Sequence, residues 1–271
     1  MLVNEFRHLL VGLDEGTLQI TINRPEVRNA LAWETLEELR AAIAHGADDS
    51  VRGIVITGGK QTFCAGADLK TATERRTEGV TAPVARLRLV QQLLLEIEDS
   101  TKPVIAAVEG AAFGIGWALA LACDGVIAST SSRFGSPFLA RGLVPDGGVI
   151  WWLTRELGTR ATMRILLGNA VLSASEALEA RLVTALADEG TALEVALAET
   201  REICAGPPDA IGLTKRLVRR ARDMSLSEFL DLEWLAAGLN LTGADAAEGI
   251  RAFVEKRDAQ FRAVGDRGYD E

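Results

Sequence analysis

The residues from Lys102 to Asp124, KPVIAAVEGAAFGIGWALALACD, join a short apolar run, a cluster of glycines and a second run rich in Ala and Leu. Val104 to Val108 has the length and punctuation of a strand, Gly110 to Gly116 reads as a tight bend, and the Ala/Leu stretch reads as a helix. A glycine loop that opens a helix leaves backbone N–H groups free at the positive end of the helix dipole. The chemistry suited to such a loop is stabilisation of developing negative charge. Gly53 to Lys70, GIVITGGKQTFCAGADLK, repeats the plan: a strand from Ile54 to Thr57, a glycine-bearing loop, then a short polar helix start.

Two other uses of the first stretch fail. Glu109 and Asp124 bracket it and glycines crowd its first half, so it offers no uninterrupted span of about 20 apolar residues for a membrane. Gly110-Ala-Ala-Phe-Gly114-Ile-Gly116 matches the GxxxGxG spacing of short-chain dehydrogenases. Their chemistry also needs a Tyr-x-x-x-Lys, and the single tyrosine, Tyr269, has no lysine four places on.

The phrase FCAGADLK, Phe63 to Lys70, followed downstream by KPVIAAVEGAAFGIG, resembles the enoyl-CoA hydratase/isomerase (crotonase) family. NRPEVRNAL, Asn23 to Leu31, and GIRAFVEKRDAQF, Gly249 to Phe261, resemble the same family's terminal landmarks, so the likeness covers nearly the whole chain. It implies an α/β fold, a crotonase-type spiral of strand-strand-helix turns. Residues 1–192 would form the spiral core with both loops, and residues 193–271 a helical C-terminal oligomerisation region. It implies an acyl-CoA thioester as substrate and a homotrimer or homohexamer as the assembly. No separate cofactor and no metal are implied, since coenzyme A is part of the substrate.

By motif position, the resemblance gives the thioester oxygen the backbone N–H groups of Ala67 and Ile115. It offers Arg28, Ala65, Lys70 and Lys256 as CoA contacts, with solvated surface charge as the alternative for the three cations. Trp117, Ala118 and Phe138 fall where the acyl pocket is expected. Here the chain departs from its relatives. Enoyl-CoA hydratases carry one glutamate shortly after the second glycine loop and another after an F-G-x-P phrase; these positions are Ala118 and Phe138. Hydration needs a base to activate water and an acid to deliver a proton, and neither side chain can do either.

Asp146, in LVPDGG, lies at about the place where some relatives that shift double bonds hold a carboxylate. One carboxylate suffices to move a proton between two carbons, and burial among apolar residues raises its proton affinity, which suits that task. The competing reading makes Asp146 the N-cap of the helix after Gly147-Gly148. Double-bond migration is the favoured activity. A hydratase or lyase acting on an unusual acyl group, and a non-catalytic acyl-CoA-binding protein, stand as alternatives. Glu109 is expected to hold its loop and Asp68 to cap the helix start at Leu69. His8 and His45 lie far from any Ser or Cys motif, which leaves a hydrolase triad without support.

The elements that must position these residues are legible in outline. At 271 residues the chain suits one large domain, or one with a small appendage. Its 38 acidic against 29 basic residues argue against nucleic acid or an anionic membrane as partner. Cys64, Cys123 and Cys204 are too few and too scattered for a disulfide framework or a zinc site. The N-terminus lacks a signal-like apolar core, so a cytoplasmic protein is expected.

Phe6 to Leu13 and Thr17 to Ile22 read as a hairpin, and Trp33 to His45 as a helix stopped by Gly46. Thr71 to Pro83 is polar and weakly patterned, an expected mobile segment before an amphipathic helix from Leu87 to Ile97. Gly125 to Ala128 is a strand, Arg133 to Pro137 an extended piece, and Gly142 to Gly158 a turn and a helix, with Thr159 to Leu167 a further helix. Ser173–Glu176 and Ser225–Glu228 are capping boxes, Leu182 to Leu186 is strand-like, and a long helix carries Phe253 to Phe261.

Overall fold

The computed structural model describes residues 2–3, 6–70 and 81–261; most of the segment expected to be mobile, and Tyr269, lie outside the described residues. The chain opens with β1 (Leu2–Val3) and a hairpin of β2 (Leu9–Asp14) and β3 (Thr17–Ile22). Glu15 and Gly16 both have positive φ, 46° and 77°, the backbone of a tight turn that matches the twist of paired strands. After α1 (Trp33–Ala44) come β4 (Gly53–Thr57), α2 (Thr81–Asp99), β5 (Val104–Val108), β6 (Ala111–Phe113), α3 (Ile115–Ala122) and β7 (Gly125–Ser129). Then follow β8 (Arg133–Gly135), α4 (Val149–Leu167), β9 (Val171–Ser173), α5 (Ala174–Glu179) and β10 (Ala185–Ala187). Four helices finish the chain: α6 (Ala192–Cys204), α7 (Pro208–Ala221), α8 (Leu226–Leu241) and α9 (Ala244–Glu255).

The larger sheet has the order β1-β2-β3-β4-β5-β7-β10, antiparallel through the hairpin and parallel from β3 onward. Every residue of β4, β5 and β7 is buried, as parallel strands covered on both faces must be. Strand alternation sends Ile54, Ile56, Val104, Ala106 and Val108 to one face, under Leu36 and Leu39 of α1 and Val90, Leu93 and Ile97 of α2. Val55, Ile105, Ala107 and Ile127 take the other face, under Ala192 and Ala196 of α6.

A small second sheet, β6-β8-β9, stands beside the first, so each turn of chain adds a strand to one sheet, a strand or bridge to the other, and a helix. This is the expected α/β spiral. In the β4 turn a single bridge, Cys64 to Ala112, replaces the second strand.

Several elements differ from the sequence pattern. Ala111–Phe113, within the expected bend, is a strand, because its backbone pairs with both β8 and the Cys64 loop. The helix expected from Leu87 starts six residues earlier, at Thr81. Gly46 does not stop α1; it sits in a short 3-10 turn, His45–Ala47, where a Cβ would come within 2.6 Å of Ile54 Cδ1. Leu182 and Val183 are buried loop residues and the strand begins at Ala185. The last described helix ends at Glu255, with Lys256 in a left-handed cap, so Phe261 lies beyond it. Gly158 breaks α4 with φ 74° and ψ 169°, as the two expected helices require. Both capping boxes form.

The chain turns wholly helical at α6, yet α6 belongs to the sheet core, and Glu109 joins the two. Glu109 is buried and its Oε1 accepts the Ala192 N–H at 3.0 Å, placing a carboxylate at the positive end of α6. Farther out, α7 is tied to the core by Lys215–Asp124 at 2.6 Å and by Arg219 to Asp124 and Glu98. Glu109→Ala is expected to leave a buried donor unpaired and to cost about 1–3 kcal/mol in urea unfolding. Glu109→Gln, which keeps an acceptor, should recover most of that. A loss of activity per folded molecule without a loss of stability would contradict the structural role.

Candidate active site

The two glycine loops leave the carboxyl ends of β4 and β5, which are parallel neighbours in register from Ile54↔Val104 to Thr57↔Ala107. Backbone bonds sew them together: Phe63 N–H to Glu109 O (2.7 Å), Cys64 N–H to Ala111 O (2.9 Å) and Phe113 N–H to Cys64 O (2.9 Å). The first loop is held from its other side by Leu31 N–H to Gly66 O (2.8 Å) and Asp68 N–H to Leu31 O (3.0 Å). Gly66 has φ 103°, and a Cβ there would lie 2.8 Å from the Phe113 carbonyl oxygen. One on Gly116 would lie 2.5 Å from the Cys64 oxygen. Only glycine lets the two backbones touch.

Ala67 follows one of these contacts, and Ile115 opens α3 beside the other, with Gly114 as its N-cap at φ 55°. Among the described residues neither the Ala67 nor the Ile115 N–H has an acceptor. The first is held outside a helix by flanking bonds, and the second is one of the orphan donors that every helix start leaves.

The segment before α4 folds back onto this place. A Cβ on Gly147 (φ 66°) would lie 3.1 Å from Ala118 Cβ, 3.3 Å from Ile115 Cγ2 and 3.7 Å from Leu94 Cδ1. A Cβ on Gly114 would lie 3.4 Å from the Phe138 ring. Ile115, Ala118, Phe138 and Asp146, scattered in sequence, therefore border one place. The N-cap of α4 is Gly148, with no side-chain bond, so Asp146 does not cap the helix and that alternative falls.

Asp146 Oδ1 is buried without a hydrogen-bond partner. Burial pushes its carboxyl above the ordinary carboxylate range, and the Arg86 guanidinium offsets part of the effect. Arg86, on α2, was not foreseen. One turn back from the stripe Val90, Leu93 and Ile97 lands on it, and a cation on a core stripe was the signal available.

The remaining candidates divide. Ala65 N–H donates to Arg28 O at 3.0 Å, so these two expected CoA contacts are neighbours; the Arg28 side chain is exposed, as is Lys70 farther along the loop. Lys256 is the left-handed cap of α9, which packs on α7 and α8. Trp117, expected in the pocket, is fully buried, as is Ala118 next to it, and its ring packs on Phe134 at 6.2 Å. Asp68 pairs with Arg24 at 3.1 Å; the helix that it was expected to cap runs outside the described residues. His8 bonds Thr35 and His45 meets the edge of Phe6.

A cavity of about 740 Å³ lies elsewhere, lined by Trp151, Trp152 and the charged residues joining α7 to the core. Its charges largely satisfy one another, through Lys215–Asp124, Arg219–Glu98 and Arg222–Glu156. Among the described residues no three His, Cys, Asp or Glu side chains gather as metal ligands.

The family model described as enoyl-CoA hydratase/isomerase matches residues 12–264. The chain is 36% identical over 249 residues to a probable enoyl-CoA hydratase of Rhodobacter capsulatus, across 92% of this chain and 95% of that one. It is 35% identical over 260 residues to the 1,2-epoxyphenylacetyl-CoA isomerase of Escherichia coli, across 93% and 97%. Of solved structures, an enoyl-CoA hydratase from Polaromonas superposes with a TM-score of 0.90 at 35% identity, covering 94% of this chain and 99% of the other.

The environment of Asp146 has a consequence for stability. A carboxyl that holds its proton more tightly when folded than when unfolded makes the native state lose stability as pH rises through the interval between the two values. The full cost is present above the native value. Asp146→Asn is therefore expected to melt at a higher temperature than the parent at neutral pH, the gain shrinking as pH falls into the ordinary carboxylate range. Thermal melts across that range test it, and an equal or lower melting temperature at neutral pH would show that the charge is fully compensated.

Proposed function

The chain belongs to the enoyl-CoA hydratase/isomerase family, and we propose that it moves a double bond within an acyl-CoA by way of a thioester enolate. Asp146 is the proton carrier in this reading, and the Ala67 and Ile115 N–H groups receive the thioester oxygen. The observation that carries it is the buried, unpartnered Oδ1 of Asp146 in a loop whose next residue, Gly147, packs against Ala118 and against Ile115, the residue that opens α3 with a free N–H.

In a 3-enoyl-CoA the Asp146 carboxylate removes a proton from C2. The electron pair spreads into the thioester carbonyl and across C3=C4. The protonated carboxyl then returns the proton at C4 and leaves the double bond between C2 and C3. Each backbone donor aimed at the enolate oxygen contributes roughly 3–4 kcal/mol in comparable sites. Raised proton affinity brings Asp146 closer to the carbon acid that it must deprotonate.

Water has no role in this cycle. Ala118 and Phe138 offer no carboxylate to activate one, and the side chains that Gly147 meets beside Asp146, those of Ala118, Ile115 and Leu94, are all apolar. On the CoA side, Arg28 and Lys70 supply exposed positive charge next to Ala65 for the nucleotide phosphates. Lys256, at the end of α9 among the C-terminal helices, serves such a phosphate of a neighbouring copy in this reading.

The C-terminal helices leave an apolar surface uncovered, including Trp234 (75% exposed), Phe253 (85%), Leu235 and Leu239. This surface is read as the interface of a homotrimer or homohexamer. Light scattering is expected to return three or six times the chain mass for the parent and a lower multiple for Trp234→Glu; a monomeric parent would refute the assembly.

Asp146→Asn is expected to lower kcat for conversion of a 3-enoyl-CoA by roughly 10²–10⁴-fold, the usual contribution of a positioned acid/base, with little change in KM. The parent should leave a 2-enoyl-CoA unhydrated. Faster hydration than isomerisation by the parent would favour a hydratase, and tight CoA-ester binding with neither reaction would favour a binding protein.

A further inference from the structure

Arg86 is a cation on a core stripe. It sits on α2 in line with Val90, Leu93 and Ile97, and its Nη2 is buried without a hydrogen-bond acceptor. A buried guanidinium donor left unpaired is costly, and so is a buried carboxylate oxygen left unpaired. Arg86 and Asp146 carry one such atom each, and they are near enough to act on each other's charge.

Among the described residues the charged groups around them are few. Arg86 feels Asp146 and Asp68, and Asp68 is already paired with Arg24. Toward the Asp146–Gly147 loop, α3 presents Ile115 and Ala118, and α2 presents Leu94, all apolar. Among the described residues Arg86 is thus the cation that acts on Asp146.

The absence of a direct bond between the two unpaired atoms matters chemically. A forked guanidinium–carboxylate pair would occupy the carboxylate oxygens and hold them strongly in the ionised state, leaving a poor base. With no cation at all, burial would raise the proton affinity of the carboxyl further and leave less of it ionised to start the reaction. A positive charge held close by, without contact at Oδ1, avoids both outcomes.

We propose that Arg86 is a positioning residue that keeps Asp146 ionised in the resting enzyme while leaving its Oδ1 open to a carbon-bound proton of the acyl chain. The proposal rests on Asp146 being the base. Its physical core, the coupling of the two charges, can be measured without turnover.

Arg86→Met and Arg86→Lys provide the test, with two readouts. The first is the pH profile of kcat/KM for a 3-enoyl-CoA. Removing the cation should shift the acid limb of Arg86→Met to higher pH, so that turnover falls most at mildly acid pH and recovers toward the parent at alkaline pH. Arg86→Lys, which keeps the charge, should stay near the parent profile. The second is the titration of the Asp146 carboxyl carbon by ¹³C NMR in the ligand-free protein, assigned by its loss in Asp146→Asn; it should move in the same direction in Arg86→Met.

An unmoved acid limb and an unmoved carbon titration in folded Arg86→Met would overturn the proposal, and so would a change in KM alone. If Arg86→Met does not fold, a lysine variant whose Asp146 titration matches the parent supports the role of charge, and one whose titration moves as far as expected for charge loss refutes it. A moved carbon titration in a protein that turns over no enoyl-CoA would uphold the coupling and reject the assignment of Asp146 as the base.

Discussion

The constraint on which the site depends is the contact between two stretches of backbone. Gly66 lies against the Phe113 carbonyl and Gly116 against that of Cys64, each with no space for a methyl group. These contacts exist because β4 and β5 are adjacent parallel strands whose carboxyl ends release their loops side by side, the usual location of ligand sites in parallel sheets. The bonds through Phe63, Cys64 and Phe113 then fix the loops to each other, so the site inherits the rigidity of the sheet. Buried apolar strands, glycine contacts and free amides are successive consequences of one arrangement.

Polar groups buried nearby separate into those that hold the fold and those left unmet. Glu109 is engaged by the start of α6 and Asp68 by Arg24. Asp146 Oδ1 and Arg86 Nη2 have no such partners. Being unpartnered does not define a site by itself, since Trp117 Nε1, Ser136 Oγ and Lys102 Nζ share the condition. What distinguishes Asp146 and Arg86 is opposite charge and mutual attraction, with the residue after Asp146 packed on Ile115. Unpaired buried charge lowers stability, and its presence there fits a protein that keeps a costly group where reaction needs it.

Much of this was legible in the sequence, for identifiable reasons. The strands at Ile54 and Val104 announced themselves as apolar runs bounded by Gly, Pro and charged residues, and the glycine phrases marked the loops. Ser-x-x-Glu phrases gave two helix starts because a capping box is a local interaction needing no tertiary partner. Short strands such as β6 and β9 were missed, since three residues show no period and their pairing is wholly non-local. Asp146 and an apolar setting from Ala118 and Phe138 were read from the motifs, but Arg86 and Leu94 were not, because α2 meets the Asp146–Gly147 loop only after the chain folds. The order of residues does not say which side of a short, entirely apolar helix meets a ligand, so it leaves the facing of Trp117 and Ala118 open.

The closeness of Ala118 to Gly147 bears on how such a scaffold can be redesigned. A side chain starting at 147 would begin 3.1 Å from the methyl group of 118, so the two positions draw on one small volume. Grafting a glutamate at 118 to create a water-activating pair would bring a bulky anion to a loop already carrying a carboxylate. Engineers would have to reshape residues 144–148 first, or retire Asp146 in the same step. The two chemistries are thus separated by a coordinated change of several positions, a steep path for any process that accepts substitutions singly.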